Sequence, residues 1–86
     1  MKFLPIGTVV ILKNATKKVM VIGFLATDKN NNKKVYDYVG CPYPEGVVSN
    51  KQYLLFNHAQ IENVFHVGYE DAEGKDIKNK LLEIDN

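Results

Sequence analysis

The feature that most constrains this chain is a series of short apolar runs, rich in β-branched and aromatic residues and separated by polar or turn-forming residues. Runs of this length and composition are typical of buried strands rather than helices. The runs cover residues 8–12, 18–26, 35–40, 53–56 and 61–69. The sequence therefore predicts about five short strands, connected by turns and paired in an antiparallel sheet.

The connections between these runs carry their own signals. Gly23 interrupts the second run, and a glycine inside a strand pattern predicts a bulge or a sharp bend. Residues 28–34 are polar and rich in Asn, which tolerates left-handed backbone angles, so we expect a hairpin loop there. Residues 41–51 contain two prolines and a glycine, and they predict the longest exposed loop. Asn57 is placed to cap a single helical turn over residues 57–60.

The pattern changes after Gly68, where residues 70–84 predict a helix. Its first turn is acidic and its later turns carry Lys, which suits the helix dipole. Ile77, Leu81 and Ile84 fall at helical spacing and form one apolar stripe. A helix of this length is marginal alone, so we expect the stripe to cover an open face of the sheet or a partner protein.

These elements predict a mainly β (α+β) fold: a small bent antiparallel sheet or open barrel of about five strands, with a C-terminal helix. The 86 residues predict a single domain over residues 1–86, with a β module at 1–69 and the helix at 70–86. A catalytic barrel or a dinucleotide-binding fold needs a longer chain.

Charge and cysteine content narrow the function classes. The net charge is +1, and all 11 basic residues are Lys. A nucleic-acid-binding protein usually has a larger basic excess that includes Arg, so the composition argues against nucleic acid as a partner. The single cysteine, Cys41, cannot form an internal disulfide, which favours a reducing, cytoplasmic location.

The apolar N-terminal run is interrupted by Pro5 and Gly7, and we expect neither a signal peptide nor a membrane span.

The candidates for chemistry form no recognisable catalytic or metal-binding pattern. Cys41, His58 and His66 match no zinc spacing, and there is no second cysteine. A reactive Cys–His pair would need a third group to orient the base, and the sequence identifies none. We therefore predict no catalytic residues, no metal site and no cofactor, with Cys41 packing at a strand end.

Tyrosines supply five of the nine aromatic residues, and several lie near lysines. Tyr suits a half-buried sheet face, is enriched at protein interfaces, and can stack on single-stranded nucleic acid, so three interpretations remain open. Tyr43 lies between Pro42 and Pro44, which would hold an aromatic side chain on a semi-rigid backbone. The residues predicted to bind a partner are Tyr36, Tyr38, Tyr43, Glu45 and Tyr53.

The string at residues 36–46, Tyr-Asp-Tyr-Val-Gly-Cys-Pro-Tyr-Pro-Glu-Gly, is distinctive, and it occurs with related strings at 4–10, 56–58 and 68–71. In these strings the chain resembles the domain-of-unknown-function family numbered 4176, small proteins of Gram-positive bacteria. The resemblance extends from about Leu4 to the terminal helix.

The resemblance implies a binding role rather than catalysis. Members of the family are often encoded beside LXG-type toxins of the type VII secretion system, and some look like chaperones or targeting factors that bind a toxin in the cytoplasm before export. We therefore expect a non-catalytic protein-binding module whose partner is a protein, with a single-stranded nucleic-acid-binding barrel as the alternative. The family has no accepted catalytic residues, so none is transferred to this chain. An enzyme that depends on Cys41 is the third and minor hypothesis.

Overall fold

A five-stranded antiparallel sheet followed by one helix accounts for most of the chain in the computed structural model, which describes residues 3–28, 31–49 and 53–85. The strand order is β4-β3-β2-β1-β5, so β4 and β5 form the two edges. The elements are β1 (Val9–Leu12), β2 (Val19–Asp28), β3 (Asn31–Pro42), β4 (Leu54–Phe56), a 3-10 turn (His58–Gln60), β5 (Ile61–His66) and α1 (Ala72–Asp85). The predicted mainly β (α+β) fold with a C-terminal helix is confirmed.

The long hairpin of β2 and β3 forms the centre of the sheet, with Val19 opposite Pro42 at one end and Asp28 opposite Asn31 at the other. The predicted irregularity at Gly23 is confirmed, because the register of the two strands shifts between Val21 and Gly23. A bulge of this kind increases the local twist and bends the strand.

Strand β3 extends further than predicted at both of its ends. Asn31 already pairs with Asp28, so the residues from 31 to 34 belong to β3 rather than to a loop, while 29–30 lie outside the described residues. At the other end β3 continues to Pro42, and the exposed loop begins at Tyr43. The main-chain ladder continues through these polar and Pro-containing positions because it depends on backbone pairing and not on side-chain polarity. The last predicted loop residues, 50–51, also lie outside the described residues.

The core lies on one face of the sheet and has Tyr38 at its centre. The Tyr38 ring stacks on Phe56 with 5.3 Å between centroids, and it meets Phe3 edge-on at 5.9 Å. Six fully or almost fully buried apolar side chains form this cluster: Phe3, Val10, Val19, Val21, Tyr38 and Phe56. Offset and edge-to-face ring pairs contribute beyond the area they bury, so the aromatic residues dominate the packing energy of this small core.

The hydroxyl of Tyr38 is also hydrogen-bonded inside the core. Its oxygen accepts the N–H of Leu4 at 3.0 Å and lies 2.8 Å from Nδ1 of His58, to which it can donate its proton. The neighbouring Asp37 accepts the N–H of His58 at 2.9 Å and donates its own N–H to Oδ1 of Asn57 at 3.0 Å. These bonds join β3 to the N-terminal segment and to the turn before β5.

Helix α1 begins after Asp71, whose carboxylate accepts the N–H of Gly74 at 3.1 Å and thereby caps the first turn. The predicted stripe is only partly correct. Leu81 packs against the core together with Leu82, whereas Ile77 and Ile84 are 49% and 72% exposed.

The buried face of α1 includes a lysine that a hydropathy pattern does not select. Lys78 is one turn before Leu82, and its ammonium lies 2.7 Å from the carboxylate of Glu70, with both side chains about four-fifths buried. A lysine can bury its aliphatic stem when its charge is paired. The helix therefore packs mainly through Gly74, Lys78, Leu81 and Leu82, and the two isoleucines are more exposed than these four residues.

The packing around Gly40 predicts a strong size limit. An added Cβ at Gly40 would collide with Cγ1 of Val19 and lie 2.9 Å from Cε1 of Phe56. We expect Gly40→Ala to lower the free energy of unfolding by about 1–3 kcal/mol, as overpacking a core typically does. Gly23→Ala is the matched control, since its Cβ would meet Val39 at an ordinary 3.6 Å. Urea unfolding of both variants checks this, and equal midpoints would contradict it.

The hydrogen bonds of Tyr38 predict a second effect on stability. Tyr38→Phe leaves the N–H of Leu4 without its acceptor, and we expect a loss of about 1–3 kcal/mol in the free energy of unfolding. Tyr36→Phe, on the same strand but only half-buried, should change the free energy of unfolding by less than about 0.5 kcal/mol. Equal losses in the two variants would show that the Tyr38 hydroxyl does not stabilise the core.

The same hydroxyl predicts a dependence on alkaline pH. Burial raises the pKa of Tyr38 above its ordinary value of 10.0, although the hydrogen bond from Leu4 opposes this shift. The folded protein thus holds the phenolic proton more tightly than the unfolded chain, and this stabilisation is lost as pH rises above about 10. We expect the difference in unfolding free energy between wild type and Tyr38→Phe to be constant below about pH 9 and to narrow above pH 10. A difference that stays constant across this range would contradict the shift.

Candidate binding surface

A cleft of about 570 Å³ lies on the face of the sheet opposite the core. Val9 and Met20 are cross-strand partners whose neighbours Val10 and Val19 point into the core, so they face the other way. The cleft is lined by Gly7, Val9, Lys18, Met20, Tyr43, Phe65 and His66. We call it the Tyr43–Phe65 cleft, after the two aromatic side chains that it combines from separate elements.

Tyr43 enters the cleft from the end of β3. Its N–H donates to the carbonyl oxygen of Lys18 at 3.0 Å, which holds the first residue of the loop against the start of β2. The peptide bond between Tyr43 and Pro44 is cis. The Tyr43 side chain stays 41% exposed, so its ring is accessible from solvent.

Phe65 reaches the cleft through an irregularity in the pairing of β1 and β5. Val9 pairs with His66, but Val10 pairs with Val64, so Phe65 is an extra residue on β5. Bulges of this kind re-aim side chains, and here Phe65 and His66 both line the cleft. The Phe65 side chain is 51% exposed.

A close approach between two chain segments fixes the end of β5 next to the cleft. The buried hydroxyl oxygen of Thr8 accepts the N–H of Gly68 at 3.0 Å. A Cβ on Gly68 would collide with the carbonyl oxygen of Ile6, so only glycine allows this approach. The segment after β5 is therefore held beside Gly7, which is part of the cleft lining.

The rim of the cleft carries positive charge. The ammonium of Lys18 lies 5.0 Å above the centroid of the Phe65 ring, and His66 lines the same cleft. The adjacent Lys17 forms an ion pair with Glu45 at 2.5 Å, and this hydrogen bond lowers the pKa of the Glu45 carboxyl. Glu45 thus neutralises Lys17, whereas Lys18 has no ion pair with any residue that the structure describes.

The strand β5 is both a wall of this cleft and an edge of the sheet. It pairs with β1 alone, and from Glu62 to His66 every side chain is exposed. An edge strand presents backbone groups that can pair with another chain. The candidate surface therefore combines a pocket for side chains with an open backbone edge.

The residues predicted from sequence do not form one surface. Tyr43 lines the cleft, and Glu45 lies beside it through the ion pair with Lys17. Tyr36 is half-buried, while Tyr53 is 47% exposed and precedes β4, the other edge of the sheet. Tyr38 was predicted to contact a partner, but it is fully buried, because its strand position points into the core. Tyr38 is thus unavailable to a partner in the folded protein.

The sequence did not single out Phe65 or Lys18, and it offered His66 only as a candidate for catalysis or metal binding. The only available signal was the large aromatic of Phe65 within the last predicted strand, which equally suits a core position. Its exposure follows from the edge position of β5 and from the bulge, and neither can be read from a hydropathy pattern.

Residues with catalytic or metal-binding potential are dispersed in this structure. Cys41 is buried, and His58 is held by the Tyr38 network, while His66 lies at the cleft. Among the described residues, no three His, Cys, Asp or Glu side chains come close enough to hold a metal ion. In the same part of the chain, no helix has the length and apolar character that crossing a membrane requires.

Comparison with known proteins supports the resemblance seen in the sequence. Neither a search of curated proteins nor a search of solved structures found a significant match. The model of one family, described as Domain of unknown function (DUF4176), matches residues 3–77. The match begins in the segment before β1 and ends within α1, so it includes the whole sheet. The chain therefore belongs to the DUF4176 family of domains of unknown function.

Proposed function

We propose that this protein is a non-catalytic, cytoplasmic protein-binding module that acts as a chaperone or targeting adaptor for an LXG-type toxin of the type VII secretion system. The observation that carries the binding role is the Tyr43–Phe65 cleft, where two exposed aromatic side chains border an apolar floor beside an open sheet edge. The choice of a toxin as partner rests on the resemblance to family members encoded beside such toxins.

The aromatic pair supports protein binding on energetic grounds. Tyr and Phe bury large areas with few rotatable bonds, and such anchors contribute most of the binding energy at interfaces. Tyr43 is held by its backbone bond to Lys18, and Phe65 lies between Val64 and His66, which both pair with β1. Little conformational entropy is therefore lost when a partner covers them.

The open edge supports a chaperone or adaptor more than a narrowly selective receptor. A strand that adds to a sheet edge binds through main-chain hydrogen bonds, which are independent of the partner's side chains. Such an edge can hold an exposed strand of an incompletely folded client, and the cleft then supplies selectivity.

A single-stranded nucleic-acid-binding role is the alternative. Two lysine–aromatic pairs favour it, with Lys18 over Phe65 and Lys34 over Tyr36, each at 5.0 Å. The net charge of +1 and the absence of Arg argue against this alternative, because contacts between basic side chains and phosphates dominate affinity for nucleic acid. Binding of labelled single-stranded RNA that weakens steeply with salt would support this alternative, and its absence would favour the protein-binding role.

Substitution of Tyr43 tests the proposed function directly. We expect Tyr43→Ala to weaken binding of a co-encoded LXG-type toxin by about 2 kcal/mol or more, roughly thirtyfold, with little change in the free energy of unfolding. Isothermal titration and urea unfolding of the same variant give both quantities. Tyr53→Ala is the matched control, because Tyr53 is similarly exposed but lies at the opposite edge of the sheet.

Two results would contradict the proposal. If Tyr43→Ala lowers stability and leaves toxin affinity unchanged, Tyr43 only covers the sheet beneath it. If the toxin shows no binding, and remains stable and is secreted normally after deletion of this protein, the adaptor role fails.

A further inference from the structure

We propose that the partner segment recognised by this protein is an extended strand that pairs with β5 and places an apolar side chain in the Tyr43–Phe65 cleft, with a carboxylate beside Lys18 and His66. This inference rests on the proposed protein-binding function and specifies the chemistry of the partner. It follows from three features of the described residues: the edge, the shape of the cleft and the charge at its rim.

The edge at β5 is better suited to strand addition than the edge at β4. β5 has six residues, whereas β4 has three. The side chains from Glu62 to His66 are exposed on both faces of β5, so no described element covers this strand. An added strand can therefore pair along the length of β5 without displacing part of the fold.

The cleft supplies a site for a side chain of the added strand. Phe65 and His66 belong to β5 and line the cleft, so a strand paired with β5 passes directly along its rim. Val9 and Met20 form an apolar floor, and Tyr43 closes the opposite side. The volume of about 570 Å³ falls within the range of ligand pockets and accommodates one aromatic or large aliphatic side chain.

The charge at the rim of the cleft determines which residues should flank the apolar side chain of the added strand. Lys18 lies over Phe65 without an acidic partner among the described residues, and the His66 ring adds nitrogen atoms that can hydrogen-bond to a carboxyl group. The nearby acid Glu45 is already paired with Lys17. In the added strand, a carboxylate two positions from the apolar side chain points to the same face as that side chain. It would therefore approach the Lys18 ammonium, which has no acidic partner among the described residues.

A defined peptide tests this arrangement. The probe is fluorescein-labelled Thr-Val-Thr-Phe-Thr-Glu-Thr-Val-Thr, in which Val, Phe and Glu share one face, and the comparison peptide has Lys in place of Glu. We expect the Glu peptide to bind the full chain about fivefold or more tightly than the Lys peptide at low salt, as measured by fluorescence anisotropy. Lys18→Glu should reverse this order. Lys34→Glu is the matched control, because Lys34 lies over Tyr36 at the same 5.0 Å but far from β5 in the sheet order.

Nuclear magnetic resonance locates the peptide. We expect amide shift changes along β5 and at Tyr43, with β4 unchanged. Replacement of the central Phe-Thr-Glu by Phe-Pro-Glu should weaken binding, because Pro removes one backbone N–H donor from the added strand and restricts the residue before it. Absence of binding up to roughly 1 mM, equal affinity for both peptides, or shifts confined to β4 would overturn the inference. Self-association through β5, detected by sedimentation of the free chain, would overturn it as well, because a second copy would then occupy the edge.

The peptide and toxin experiments fail independently. If a toxin binds in a Tyr43-dependent manner but the peptides do not bind, the strand-addition model is wrong and the proposed function stands. If the peptides bind as expected but the toxin does not, the recognition chemistry is correct and the choice of partner is wrong.

Discussion

The burial of the Tyr38 phenol is the constraint on which the rest of this structure depends. Its ring fills the centre of a small core, and its hydroxyl joins the N-terminal segment to the turn before β5 through Leu4 and His58. A buried hydroxyl without partners would cost free energy, so both segments must stay in place for the core to form. The sheet, the turn and the N-terminal segment are therefore stabilised together.

One consequence of this core is that the two faces of the sheet have different roles. The aromatic cluster and the packed face of α1 occupy one face, and the Tyr43–Phe65 cleft lies on the other. Because β1 lies between β2 and β5, the residues that line the cleft come from these three strands, from the positions just before β1 and β2, and from the loop after β3. The core holds these strands in a fixed register, so the cleft is part of the folded protein itself.

Prediction from the sequence succeeded where local patterns decide the structure. The strand runs, the bend at Gly23 and the helical turn after Asn57 depend on neighbouring residues, and they were predicted. The apolar stripe of α1 was partly wrong, since an ion pair allowed Lys78 to be buried in place of Ile77. The burial of individual tyrosines was not predicted, because Tyr38 and Tyr43 have the same side chain but differ in burial.

The sequence by itself determined the family, the mainly β composition and the position of the terminal helix, because periodicity and turn residues act over a few neighbouring positions. Only the tertiary structure decided that β5 is an edge and that its bulge places Phe65 beside Tyr43 and Lys18. Strand order and register depend on contacts between residues far apart in the chain. Alternative arrangements of the strands differ in their total packing and hydrogen bonding, and the arrangement with the lowest free energy is the one that forms. No local pattern in the sequence shows which arrangement of strands is the most stable.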